Sequence, residues 1–404
     1  MTMSQFGDLM KKVIEPIIQD QLFRNNVLLS QLTKWKNTTF KNDKFFITAM
    51  TSGHSGVYSA AEGGTIKTGK FGTKQMQADV KYTFGSHIFT DQALEAIKGG
   101  DGSIASLLTT ATEELKMSID KDRQRQSHGY GQGVLAEVQS GSTGTTITVK
   151  GSANGGLGTW NLYDGQELWI GTKSQIEAGT ADAVTVVNVT SNTTFTVSGA
   201  VTVAANDLIV KADAYNASNA AYVEMSGIRN LIDDNNSPYD ANFQGVARST
   251  NAFVNAYVYK GTAEALSIAR IQEAVMEASK WGRPNLMLSN SILYNKYSNL
   301  LEGQKRFVDI TVGTAWFKGL AFASNNGDIA LMNDYDAPLD HLEILDTTTF
   351  TVAELTPVKF MDTDGQVLRN VGGNSANFQA IMKHYAQLVN LKPRANAILR
   401  NQTA

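Results

Sequence analysis

The segment DGSIASLLTTATEELKMSIDKDRQRQSHGYG, residues 101–131, has the pattern of one long helix. Ser103 is a candidate N-cap, and Gly129 and Gly131 end the helix. Its apolar residues recur at steps of three and four, which places them on one stripe: Ile104, Leu107, Leu108, Ala111, Leu115 and Ile119. At ~1.5 Å per residue the helix is roughly 38 Å long. This length and the single apolar stripe predict a long helix against which the rest of the chain packs.

The last two turns of this helix have a different composition. Residues Lys121 to His128 include no apolar side chain, and Asp120 and Asp122 offset the basic residues among them. We interpret this part as a solvent-exposed helix face of mixed charge, and not as a nucleic-acid patch.

Length and composition set the first limits on function. The chain has 404 residues, 42% of them hydrophobic, which is enough for two or three domains with a sizeable core. Its net charge of −3 and pI of about 6.0 argue against a basic field that attracts nucleic acid. The absence of cysteine excludes disulfides and thiolate chemistry. We find no signal peptide and no window with the ~18 apolar residues of a membrane span.

The sequence before the helix predicts two extended elements. Residues 3–35 form an amphipathic arm, which packs either on its own domain or on a neighbouring subunit. In residues 44–90, a strand KFFITAM and an alternating strand flank a tip rich in Gly, Ser and Thr. The alternation places five residues on one side of the second strand: Met76, Ala78, Val80, Tyr82 and Phe84. Because an isolated hairpin is marginally stable in water, we expect this one to rest on another copy of the chain.

The sequence after the helix changes character twice. Short Thr/Val strands and Gly/Asn turns in residues 137–211 predict an inserted β-barrel or sandwich. Residues 212–349 combine amphipathic helices with short buried strands, such as PNLML followed by SILYNKYSNLL. Residues 350–404 return to strands.

A search for catalytic, cofactor-binding and metal-ligating residues identifies none. Five histidines lack ligand spacing and are interpreted as surface or satisfied residues: His54, His87, His128, His341 and His384. Asp334 and Asp336 are interpreted as solvated loop acids. Asp362, Asp364 and Gly365 suggest a calcium loop, but Gly373 stands where the bidentate Glu belongs. The glycines from Gly129 to Gly133 follow a helix and not a strand, so they do not form a phosphate loop.

The order of these elements resembles the major capsid proteins of tailed phages, which have the Hong Kong 97 fold. The resemblance implies an α+β chain with six parts: an N-terminal arm (1–43), an E-loop hairpin (44–90), a P domain with the spine helix (91–136), the inserted β domain (137–211), an A domain (212–349) and returning P-domain strands (350–404). Some members of that family crosslink an E-loop Lys to an Asn. Lys67, Lys70 and Lys74 lie in the hairpin, but lysine is common on hairpins, and we do not predict crosslinking.

The function implied by this resemblance is a non-enzymatic shell protein of the virion, assembled in the host cytoplasm. Its expected partners are further copies in pentamers and hexamers, a separate scaffolding protein, a portal and a decoration protein. Double-stranded DNA would be held by confinement and not by sequence. An encapsulin-like nanocompartment is the main alternative. A secreted adhesive β protein conflicts with the missing export signal, and an enzyme conflicts with the empty motif search.

Overall fold

A computed structural model describes residues 27–35, 39–65, 68–92, 102–152, 155–301, 320–324, 327–362, 367–372 and 377–403. The amphipathic arm before residue 27, Lys67, and the calcium-like residues Asp364, Gly365 and Gly373 lie outside these ranges. The side chains of residues 102–113, which include the candidate cap Ser103, are also outside the description.

Six helices are described, and the second is the long helix expected from the sequence. Their bounds are α1 Val27–Gln31, α2 Gly102–His128, α3 Lys173–Ala178, α4 Ile228–Leu231, α5 Ile268–Ser279 and α6 Ser291–Leu300. Helix α2 ends where Gly129 follows, and Gly131 adopts a positive φ of 77° that few other residues tolerate.

The strands of the described ranges form several sheets. They are β1 Thr33–Trp35, β2 Thr39–Lys41, β3 Lys44–Met50, β4 Thr73–Asp79, β5 Lys81–Thr90, β6 Val134–Glu137, β7 Ser142–Thr148, β8 Glu167–Gly171, β9 Asp182–Val189, β10 Thr194–Val203, β11 Leu208–Lys211, β12 Tyr215–Asn216, β13 Ala221–Tyr222, β14 Asn242–Phe243, β15 Val246–Ala247, β16 Tyr257–Tyr259, β17 Glu264–Ala265, β18 Leu286–Ser289, β19 Leu320–Ser324, β20 Gly327–Asn333, β21 Leu342–Leu345, β22 Phe350–Phe360, β23 Leu368–Asn370, β24 Asn377–Asn390, β25 Ala397–Leu399 and β26 Gln402–Thr403.

Helix α2 packs on a five-stranded sheet built from distant parts of the chain. Strand β24 pairs with β22, β23 and β5, and β1 pairs in parallel with β22. The side chains of Leu115 and Ile119 lie over Gly85 of β5, where the missing side chain allows close approach. The two members of the apolar stripe whose side chains are described therefore face the sheet, as the periodicity predicts.

The hairpin differs from its sequence prediction at one point. The alternating segment is not one strand, because it changes sheets at Val80: β4 pairs with β3, whereas β5 pairs with β24. Met76, Ala78 and Val80 are buried as expected, but Tyr82 and Phe84 are 43% and 53% exposed. The prediction that these last two share the buried side is wrong, because the inward-facing residues of β5 are the other set, which includes Gly85 beneath α2 and the buried Phe89.

The inserted strands close into a barrel with its own core. The order around it is β6-β11-β8-β9-β10-β7, and an antiparallel bridge between Val138 and Val149 joins the two ends. Fourteen buried residues fill its interior, among them Ile147, Phe195 and Ile209, each fully buried. This is the small inserted β domain expected from the sequence; its bounds remain a prediction.

A second large sheet, of order β16-β25-β21-β18-β20-β19, has α5 and α6 packed on it through a separate apolar cluster. Strand β25 lies here and not beside β22, so the end of the chain returns to this sheet. The sheet also carries Glu343 on β21, buried within an otherwise apolar strand.

Candidate functional site

The hairpin combines a fixed base with an exposed tip. At its base, Phe45 and Met76 are buried in the main core beside Phe243. In the tip between β3 and β4, Val57 and Phe71 are 86% and 54% exposed. Backbone bonds still hold the two arms of the tip together, for example from the Ser55 amide to the carbonyl of Lys70 (3.0 Å). The hairpin thus carries exposed apolar side chains at its tip and buried ones at its base.

Two of the three hairpin lysines considered for crosslinking, Lys70 and Lys74, lie in the described residues. Lys70 is exposed. The Lys74 Nζ donates to Asn251 Oδ1 of the same chain at 2.9 Å.

A second exposed apolar surface lies on the sheet face opposite α2. Tyr82, Phe84 and Ile88 of β5 are each 43–53% exposed, and Tyr385 of β24 packs edge-on against Tyr82, with ring centroids 4.8 Å apart. We call these four residues the open sheet face. Aromatic and aliphatic side chains in one exposed patch are typical of a protein–protein contact surface.

The end of α2 is a buried polar centre, which corrects the sequence interpretation of residues 121–128. Arg123, Arg125, Gln126, Ser127 and His128 are all buried. A helix face without apolar residues can be buried when other parts of the chain supply its partners. That is the arrangement found for Arg125 and His128.

Arg125 is the centre of one ion cluster. It pairs with Asp122 of its own helix (2.8 Å) and with Glu224, and Lys211 of the barrel also pairs with Asp122. Burial would raise the pKa of Asp122, but Arg125 and Lys211 together hold it well below its usual range. The cluster therefore joins the barrel to the helix.

His128 is the centre of a second cluster. Its Nε2 lies 3.0 Å from Asp334 Oδ2 and its Nδ1 lies 3.1 Å from Glu343 Oε2. Burial would lower the pKa of His128, but the two carboxylates raise it well above its usual value. Trp160 of the barrel donates from Nε1 to Asp336 at 3.2 Å. Asp334 and Asp336 are buried, so the prediction of solvated loop acids is wrong.

The other histidines do not extend this centre. His384 is buried and faces Glu354 at 2.9 Å, and burial, helped by the positive charge of Arg123, lowers the pKa of His384 to about 4. His341 is buried beside Asp340. His54 is exposed and His87 half-buried. Each of the three buried histidines has a carboxylate partner, but Nε2 of His341 and Nδ1 of His384 are buried without a hydrogen-bond partner, so the satisfied-residue interpretation holds in full only for His128.

The described part of the chain contains no group of three or more side chains arranged to hold a metal ion. No helix in that part combines the length and apolar character needed to span a bilayer.

No protein-family profile matches the chain, and no curated protein matches it in sequence. Solved structures do match. The capsid asymmetric unit of cyanophage A-1(L) aligns with 96% of this chain and 93% of its own, at 12% identity and a TM-score of 0.56. The capsid of the native GTA particle (8% identity, 93% and 90% covered, TM-score 0.46) and the virus-like particle of Pyrococcus furiosus (10%, 96% and 99%, TM-score 0.40) are less similar to this chain.

The chain therefore has a phage capsid fold. Its mixed architecture, with the long helix on a returning sheet, the hairpin and the inserted barrel, is the Hong Kong 97-like fold that the order of elements predicts.

Proposed function

We propose that this chain is the major capsid protein of a tailed bacteriophage, self-assembling into an icosahedral shell that encloses the double-stranded DNA genome. The observation that supports this most is the likeness to the cyanophage A-1(L) capsid over nearly the whole chain. The protein acts through its contacts between copies and has no enzymatic role.

The two exposed apolar surfaces fit this role. Val57 and Phe71 are exposed in the hairpin tip, and Tyr82, Phe84 and Ile88 are exposed on the open sheet face. Burying such side chains between copies yields ~25 cal/mol per Å2 of apolar area, so many modest contacts around a shell add up. We propose that the hairpin of one subunit lies across its neighbour, and that the α5–α6 sheet packs around the symmetry axes.

The partners follow from the same proposal. A separate scaffolding protein would set the shell size, a portal would admit the DNA, and a decoration protein is a further candidate. A net charge of −3 suits a wall that confines DNA without gripping its phosphates. The working location is the virion, after assembly in the host cytoplasm.

Negative-stain microscopy of the purified full chain tests the proposal. We expect uniform closed shells, whereas a small monodisperse monomer under all assembly conditions would contradict it. An encapsulin-like compartment is the second candidate, since the same fold could serve it. Particles that enclose a protein cargo, and no nuclease-protected DNA, would favour that alternative.

A further inference from the structure

The two ring nitrogens of His128 both face carboxylate oxygens, at 3.0 and 3.1 Å. A neutral imidazole donates from only one nitrogen, so its other lone pair would point at a carboxylate. While both carboxylates are ionised, only the imidazolium, which donates from both nitrogens, can hydrogen-bond to Asp334 and Glu343 at once. Since Glu343 is fully buried, water cannot replace the lost donor.

Both carboxylates come from the sheet that packs against α5 and α6. Asp334 begins the turn after β20, and Glu343 lies on β21, while His128 is the last residue of α2. The same turn carries Asp336, which accepts from Trp160 of the barrel. Within it, the Asp336 amide donates to Asp334 Oδ1 at 3.0 Å, which fixes both aspartates. One short turn therefore contacts helix, sheet and barrel.

We propose that His128 is a positioning residue whose proton locks the long helix to this sheet through the Asp334–Asp336 turn, with the barrel held by the same turn. Loss of that proton releases the sheet and the turn from the helix end while each part keeps its fold. The inference concerns the single subunit and does not depend on the proposed shell function.

The two carboxylates in contact with His128 favour its protonated state. Asp334 and Glu343 contact it directly, and Asp336 lies on the barrel side together with Lys121, whose Nζ donates to the Trp160 carbonyl at 2.8 Å. A cavity of about 280 Å3 is lined in part by His128, and its other titratable lining residues are Arg125, Tyr130, Glu137, Lys150, Glu224, Arg229, Tyr239, Asp336, Asp340, His341 and Arg400.

The direction of the pH effect follows from the geometry. A histidine that binds its proton more tightly in the folded state contributes stability that is present below its unfolded pKa of ~6.5 and is lost as pH rises through the folded value. The lock is therefore closed at neutral pH and opens on the alkaline side.

Asp334→Asn is the decisive variant. The amide oxygen still accepts from the Asp336 amide, and the amide nitrogen can donate to the lone pair of a neutral His128, so the lock no longer needs a proton. Asp328→Asn, at an exposed position on strand β20, which leads into the turn, is the matched control. His128→Gln places one uncharged amide group before two carboxylates. At every pH it therefore mimics the neutral imidazole, which donates to only one of them.

The full chain would be studied by NMR titration of 13C-labelled histidine rings and by hydrogen exchange, corrected for intrinsic rates. We expect His128 to titrate well above ~6.5 in the wild type and in Asp328→Asn, and at least about one pH unit lower in Asp334→Asn, a tenfold loss of proton affinity. Exchange in residues 119–128 and 334–343 should rise together as the wild-type ring deprotonates. That rise should be absent in Asp334→Asn and already present at neutral pH in His128→Gln.

Two results would overturn the inference. One is a His128 that titrates at or below its ordinary value. The other is an alkaline rise in exchange that Asp334→Asn leaves unchanged. If His128→Gln fails to fold, the wild-type titration and the Asp334→Asn comparison still decide between these outcomes.

Discussion

Ile119 lies directly over Gly85, so close that a Cβ on the glycine would be 2.9 Å from the Ile119 Cδ1 atom. Through this contact the long helix packs against strand β5. Gly85→Val should push the helix away and lower the free energy of unfolding by about 1–3 kcal/mol, a typical cost of overpacking. Ser86→Val, on the exposed side of the same strand, is the control and should be nearly neutral. Denaturant unfolding of both variants measures the difference, and equal stabilities would show that the helix tolerates the extra methyl groups.

A substitution at Leu115 tests the same contact between α2 and β5 from the helix side. Leu115→Asp brings a carboxylate against the sheet at a half-buried site, and should cost on the order of 3 kcal/mol. The protein should lose its fold and not merely its assembly. Met117→Asp, at a position 61% exposed on the same helix, should leave thermal stability within about 0.5 kcal/mol of wild type. Wild-type stability in Leu115→Asp would mean that the stripe does not carry the packing.

His384 should make the subunit sensitive to acid. Its folded pKa of about 4 lies below the unfolded value of ~6.5, so the folded state binds fewer protons, and stability falls as pH drops from 6.5 towards 4. The loss is roughly 3 kcal/mol, at ~1.4 kcal/mol per pH unit. Glu354, whose pKa is lowered, adds a loss in the same direction.

His384→Gln keeps an amide donor for Glu354 and cannot take up a proton, so it should flatten the acid limb of the stability profile without abolishing it. His54→Gln, in the exposed hairpin, is the matched control. Urea unfolding at a series of pH values checks both variants. An acid limb of unchanged depth in His384→Gln would assign the sensitivity to other groups.

The elements that the sequence predicted are those whose signal is local. The stripe at Leu115 and Ile119, the alternation around Met76 and Ala78, and the short strands of the barrel all follow from periodicity over a few residues. The buried side predicted for the residues after Val80 is wrong, because the alternation of a strand does not reveal which sheet the strand joins. Tyr82 and Phe84 alternate correctly, but their side faces out.

The polar centre could not be predicted by spacing, because His128 and Asp334 are separated by 206 residues. One signal was present. Glu343 interrupts the apolar run HLEILD, and a carboxylate in a buried strand needs a partner. The polar turns of α2 from Arg123 to His128 contain the basic side chains that such a buried carboxylate could pair with. Composition favoured a solvated face only because the partners lie on other elements.

The hairpin tip should be needed for assembly and not for folding. Replacing Gly53–Gly72 by a short turn removes exposed side chains and leaves the buried Phe45 and Met76 in place. The variant should keep wild-type thermal stability but form no shells by microscopy. The double variant Val57→Ser and Phe71→Ser is a milder form, and should weaken assembly if apolar contact drives it. Normal shells from the tip deletion would show that the hairpin is not an arm between subunits.

The inserted barrel should fold alone and lie on the outer surface of the shell. Its strands close into a ring around a separate hydrophobic core, which includes Phe195 and Ile209. These are the internal contacts of an independent folding unit. The segment to express is Val134–Lys211, because a start at residue 137 would remove β6, which pairs with β11. We expect a cooperative unfolding transition from this fragment. Antibodies raised against it should label intact particles, since a lobe of this size has room outside and would crowd packed DNA inside. Labelling that appears only after the particles are disrupted would place the barrel inside, whereas a fragment without a cooperative transition would show that it depends on anchors such as the Lys211–Asp122 pair.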